Sequence, residues 1–271
     1  MNMVTSTSKR TVALLIALVV SAARPQSSNE VRDELKKYFD EFHVQGSFVL
    51  YDMSNDKYIF CNQEQFKKSF IPASTFKICN SLIGLETGVI KDENFVMTWD
   101  GVVRPVAEWN KDQDMKTAFR MSTVWYYQEL ARRVGGKRMK YWLDKANYGN
   151  ADTSGGIDSF WLTGGLRITP EQQIDFLRRL YGNDLPFTRR TVDIVKKIMI
   201  VRDTVDLTLR AKTGRSSQDG QDIGWYVGYL QVKNNVYFFA TCIQCANPGN
   251  PDFARARIEI TLRILRELRL M

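Results

Sequence analysis

The sequence predicts an α+β fold in two lobes: an antiparallel sheet flanked by helices, with a mostly helical lobe inserted into it. Strand-like runs gather towards both ends of the chain, and apolar residues at helical spacing dominate its middle. At 271 residues, with 44% hydrophobic and 12% aromatic side chains, the chain can bury a full core. Residues 24–90 and 202–271 form the expected sheet lobe and residues 91–201 the helical lobe, with a cleft where the two meet. No internal repeat, low-complexity tract or long linker separates them, so residues 24–271 read as one domain.

Residues 1–23 stand apart. Lys9 and Arg10 precede a short apolar run at 12–20 that ends in Ser21-Ala22-Ala23, the order of a secretory signal peptide cut after Ala23. The run is shorter than the roughly 20 residues that span a bilayer, so no stable membrane anchor is expected and the mature chain should be secreted or periplasmic. Apolar residues Leu35, Tyr38, Phe39 and Phe42 then predict an amphipathic helix over 29–42. Strands follow at 47–51 and 58–61, joined through the turn residues Ser54-Asn55-Asp56. A helix over 72–87 comes next, with Gly88 placed to end it. Helical patterns cover 123–133, 137–145, 170–181 and 191–201. Strands return at 207–213, 224–232 and 236–243, and a helix over 253–270 closes the chain.

Charge and composition exclude several functions. The net charge of +8 falls to +6 without the leader, and the basic residues are dispersed, the densest set being the arginines of the last helix. Aromatic interleaving and nucleic-acid reading motifs are absent, so no nucleic acid is expected as a partner. His43 is the only histidine, which leaves a zinc site of several imidazoles without ligands and makes it the only possible base of a Ser-His-Asp triad. Cys242 and Cys245 have zinc-ligand spacing but no second pair, so no metal is expected. The four cysteines allow three full disulfide pairings, among which sequence cannot choose.

The chemistry begins at Ser74-Thr75-Phe76-Lys77. Residues three apart share a helix face, so Lys77 can reach the Ser74 hydroxyl near the unpaired N–H groups of a helix start. Capping by Ser74 is the plain alternative. A protonated amine accepts no proton, so Lys77 acts as a base only if apolar surroundings lower its pKa or a modification changes it. Downstream stand Ser122-Thr123-Val124, Tyr148-Gly149-Asn150, Lys212-Thr213-Gly214 and the Trp225-x-x-Gly228 strand.

Ser-x-x-Lys, a second Ser-x-x element and Lys-Thr-Gly, in that order, are the signature of penicillin-recognising serine enzymes. With Tyr-Gly-Asn and Trp-x-x-Gly added, the chain resembles the class D β-lactamases, the oxacillinase family, throughout its mature length. The resemblance implies hydrolysis of penicillin-type antibiotics, and hence antibiotic resistance, through an acyl-enzyme on Ser74. It implies that Lys77 is carboxylated by carbon dioxide or bicarbonate to become the general base, with no other cofactor. Trp161 would hydrogen-bond that carbamate, Ser122 would relay a proton to the leaving nitrogen, and Val124 would wall the site above Lys77. Lys212 and Thr213, followed by Gly214, would meet the substrate carboxylate, and Arg257, with Arg255 as rival, would pair with it. The N–H groups of Ser74 and Arg215 would form the oxyanion hole. Tyr148 and Asn150 are expected to shape the cleft. The family includes monomers and homodimers. A membrane-tethered β-lactam sensor, or a penicillin-binding transpeptidase or carboxypeptidase, shares the same motifs and is the alternative.

Overall fold

The structure, a computed structural model, describes Met1, Met3 and residues 29–246 and 249–271. Apart from Met1 and Met3, the expected leader over residues 1–23 lies outside the described residues. Among the described residues no helix is long and apolar enough to cross a membrane.

The first segment departs from expectation. Glu30–Val31 is a short strand, β1, and a 3₁₀ turn precedes the single-turn helix α1, Lys37–Asp40. The apolar spacing was right about burial, since Leu35, Phe39 and Phe42 are all buried, but Glu30 and Val31 instead pair with Ile59 and Phe60. Strands β2, Gln45–Asp52, and β3, Lys57–Cys61, then form a hairpin at the expected place. Asp52 and Asp56 stabilise its turn by accepting from Asn55 and Tyr51.

Helix α2, Lys77–Glu86, is introduced by a 3₁₀ turn at Ala73–Phe76, so the expected helix start is wound more tightly than an α-helix. It ends as the sequence required, with Gly88 at φ +69°, a conformation that glycine adopts without strain. The minor strands β4, Val96–Met97, and β5, Gln113–Asp114, pair with each other and lead into helix α3, Met115–Arg120, capped by the Asp114 side chain. These three elements had no clear period in the sequence. Helices α4, Val124–Val134, α5, Gly136–Ala146, α6, Pro170–Gly182, and α7, Arg189–Ile198, follow. The last is shorter than expected, because Ile200–Asp203 forms an edge strand, β6.

The long strands β7, Leu207–Gln218, β8, Gln221–Val232, and β9, Asn235–Cys245, complete a seven-stranded sheet in the order β1-β3-β2-β9-β8-β7-β6. It is antiparallel except where β1 runs parallel to β3. Strand β6 pairs with β7 only at Thr208, Leu209 and Arg210. Among the described residues no strand flanks the remainder of that edge. Helix α8, Phe253–Glu267, and the α1 segment cover one face with a core of Leu35, Phe39, Phe48, Phe239, Ile260 and Ile264. The other face packs against α6 and the 3₁₀ turn at Ala73–Phe76, behind which α2, α4 and α7 complete a larger core that includes Phe76, Leu82, Tyr126, Phe160, Trp161 and Trp225. The start of α2 is therefore clamped between sheet and helices.

Candidate active site

The turn that carries Ser74 is fixed from both sides. Trp225 Nε1 on β8 donates to the Ile71 carbonyl at 2.9 Å. Thr75 Oγ1 donates to Pro72 O at 2.8 Å and accepts from Gln173 Nε2 of α6 at 2.9 Å. Strand β7 presses against the same turn: a Cβ on Gly214 would stand 2.9 Å from the Pro72 carbonyl and 3.3 Å from Thr75 N. A side chain there would push strand and turn apart, which gives the glycine of Lys-Thr-Gly a steric reason.

Ser74 is 8% exposed and Lys77 not at all. Lys77 Nζ lies 2.8 Å from Ser74 Oγ, and Ser74 caps no backbone N–H. Capping is therefore not what places this serine. Burial with no compensating carboxylate lowers the Lys77 pKa to about 7, so the amine is substantially neutral near physiological pH. The Tyr127 ring lies 5.2 Å from Nζ, and Phe76 packs edge-on against Tyr148 and Phe160 and, tilted, against Trp161.

Ser122 stands opposite at φ +56°, a left-handed conformation unusual for serine, just after α3. Its Oγ accepts from Lys212 Nζ at 3.0 Å. Lys212, on β7, also donates to the Thr213 carbonyl at 3.0 Å. Burial above all, and then the charges of Lys77 and Arg257, push its pKa well below the usual lysine value. Arg257 of α8 donates from Nη1 to the Gly214 carbonyl, and its buried Nε has no partner among the described residues. Burial, followed by the Arg215 charge, lowers its pKa to about 10. Arg255 is exposed and paired with Asp252, so of the two rivals Arg257 is the one at the Lys-Thr-Gly strand.

Trp161 is 1% exposed, and its Nε1 is a buried donor without an acceptor among the described residues. Such a group costs stability unless something fills its place. Val124 opens α4, half-buried, two residues beyond Ser122. Thr213 is half-buried, and Arg215 is exposed and paired with Asp222 across the β7–β8 hairpin. Tyr148 is buried, and Gly149, at φ +56°, approaches the Arg167 carbonyl so closely that a Cβ would overlap it. Asn150 bridges Gly165 and Arg167, bracing the loop that carries Trp161. His43 is exposed in the turn after α1, so it supplies no base to Ser74, whose hydroxyl is engaged by Lys77. Among the described residues no three His, Cys, Asp or Glu side chains gather as a metal site.

One group of residues escaped sequence reasoning. Gln113, 2% exposed, accepts from Thr123 Oγ1 at 2.6 Å and donates to the Glu108 carbonyl at 2.6 Å. Trp109 Nε1 donates to the Met121 carbonyl at 3.1 Å, and Trp125 Nε1 to the Trp109 carbonyl at 2.7 Å. These four bonds staple the loop around Trp109 to both neighbours of Ser122 and hold its backbone in the left-handed region. Gln113 lies in the charged run Asn110 to Asp114, where nothing in the pattern marks it as buried.

A protein-family model described as the penicillin binding protein transpeptidase domain matches residues 46–266. The chain is 42% identical to β-lactamase OXA-48 of Klebsiella pneumoniae over 226 residues, which is 83% of this chain and 85% of that protein. Among solved structures, the class D β-lactamase YbXI from Nostoc superposes with a TM-score of 0.84 at 48% identity, covering 88% of this chain and 99% of that one. The C-terminal domain of the Bacillus licheniformis BlaR penicillin-receptor gives 0.85 at 34% identity, covering 92% and 100%.

Proposed function

This chain belongs to the class D β-lactamases, within the penicillin binding protein transpeptidase family, and from that premise we propose that Ser74 opens the β-lactam ring with Lys77 as its base. One observation carries the reading: a fully buried lysine of lowered pKa stands 2.8 Å from the serine hydroxyl. A carbamate on Lys77 would supply an anionic base, and the neutral amine it forms on, together with the unpartnered Trp161 donor, fits such a group. Ser74 Oγ loses its proton to the base at Lys77 and bonds to the lactam carbonyl carbon. The N–H groups of Ser74 and Arg215 take the developing oxyanion.

As the ring C–N bond breaks, the leaving nitrogen takes a proton from Ser122, which lies in hydrogen-bond reach of Lys212 and regains its proton from the base at Lys77, leaving that base free for the second step. Lys212, Thr213 and Arg257, with Gly214 giving close approach, hold the substrate carboxylate by charge-assisted bonds. Val124 walls the site above Lys77. Water then gives a proton to the base at Lys77, attacks the ester carbon and releases Ser74 with its hydrogen restored. The order of basic, apolar and small residues over 9–23 supports export behind a cleaved signal peptide.

The test is steady-state hydrolysis of a chromogenic cephalosporin in degassed buffer, with and without bicarbonate. Turnover that rises with bicarbonate supports a carbamylated Lys77. A single stoichiometric burst that bicarbonate does not extend would favour a penicillin receptor, a reading supported by the likeness to the BlaR domain.

A further inference from the structure

Beside the cleft lies a second concavity of about 730 Å³, within the range of small-molecule sites. Its floor is apolar, made by Leu209 and Ala211 of β7 with Ile258 and Leu262 of α8. Lys116 and Arg120 of α3, Lys197 of α7, Arg202 of β6 and Arg266 of α8 stand around it, and no aspartate or glutamate lines it. Lys212 and Thr213 contribute to its wall, but Ser74, Lys77, Ser122, Trp161 and Arg257 do not.

The basic rim is only partly neutralised. Lys197 pairs with Glu93, as Arg104 does with Asp100 and Arg263 with Glu41. Arg120, Arg202 and Arg266 come from three different elements and make no ion pair among the described residues. Unneutralised guanidiniums ringing an apolar floor complement a ligand with an anionic head and an alkyl body. We propose that this cavity binds a small amphipathic anion, a medium-length alkyl chain ending in a carboxylate or sulfate. The chain would lie on Leu209, Ala211, Ile258 and Leu262 while the head pairs with Arg202 or Arg266 at the rim.

Isothermal titration of the mature protein with decanoate below its micellar range tests this, with decanol and decyltrimethylammonium as comparators. Saturable one-to-one binding of decanoate alone is expected. The exposed rim substitutions Arg202→Gln and Arg266→Gln, made together, should weaken it about tenfold or more, as loss of charge-assisted pairs requires, while the melting temperature holds. Equal binding of the neutral or cationic probe would overturn the assignment, as would unchanged affinity in the double variant. Capture by phosphatidylglycerol vesicles without decanoate binding would overturn it too, since that needs only a basic surface.

Discussion

Two groups of basic side chains in this molecule have opposite fates. At the sheet edge near β1, Lys37 lies against Glu267 and Lys57 against Glu30. The Glu267 hydrogen bond pushes the Lys37 amine up, and Lys57 holds Glu30 below the usual carboxylate range. At the head of α2, Lys77 meets a hydroxyl and an aromatic ring and, among the described residues, forms no ion pair with a carboxylate, and burial pulls it down to about 7. The same residue type holds its proton in one place and gives it up readily in the other, and surroundings make the difference.

The sharpest way to break the comparison is to remove the interior amine. Lys77→Ala should lower deacylation about a thousandfold, the scale of general-base catalysis, and leave an acyl-enzyme that mass spectrometry detects. Undiminished turnover would refute the assigned base. The next test varies pH. A lysine of lowered pKa sheds its proton in the folded state first, so at fixed bicarbonate kcat/KM should rise as pH climbs through about 7. Between that value and the ordinary lysine pKa the unfolded chain binds more protons, so stability should rise with pH across the same window. Lys77→Met should flatten this slope in urea unfolding measured at neutral and alkaline pH.

Smaller effects sharpen the picture around the cleft. If Arg257 holds the substrate carboxylate as proposed, Arg257→Ala should raise KM about tenfold with a lesser change in kcat. Gln113→Ala strands the Thr123 hydroxyl and the Glu108 carbonyl and should cost about 1–3 kcal/mol in urea unfolding, with kcat lowered through Ser122. Unchanged kcat at lowered stability would reduce the staple to a structural role. Smallest of all, Lys57→Ala at the exposed edge should leave kcat and KM alone and hardly move the melting temperature, because solvent screens such pairs.

What the sequence disclosed follows from which interactions are local. The i, i+3 spacing of Ser74 and Lys77 is a helical relation, and the motif order at Ser122 and Lys212 survives as pattern, so these residues were legible. Gly88 was legible because a helix end makes a demand on φ. Residues Glu30 and Val31 were misread as helix because apolar spacing from Leu35 to Phe42 reports burial, while their partner strand lies about thirty residues away. Gln113 was invisible for the same reason: its partners Glu108 and Thr123 are defined by a folded loop rather than a period. Choosing Arg257 over Arg255 likewise needed the packing of α8 on β7.

The unflanked half of β7 carries a further consequence. A long strand with a bare side is an ordinary route to sticking between protein molecules, and sheets usually shorten, charge or cover such sides. Here β6 stops pairing at Arg210, and beyond it lies the run from Lys212 to Arg215, to which the proposed function gives the substrate carboxylate. A longer β6 would cover that bare side and, on the proposed function, fill the space where the substrate would lie. What borders this side instead is Arg215, exposed and paired with Asp222, and the turn at Pro72 that Gly214 abuts, so covering the strand and keeping the cleft open are opposed demands on the same few residues.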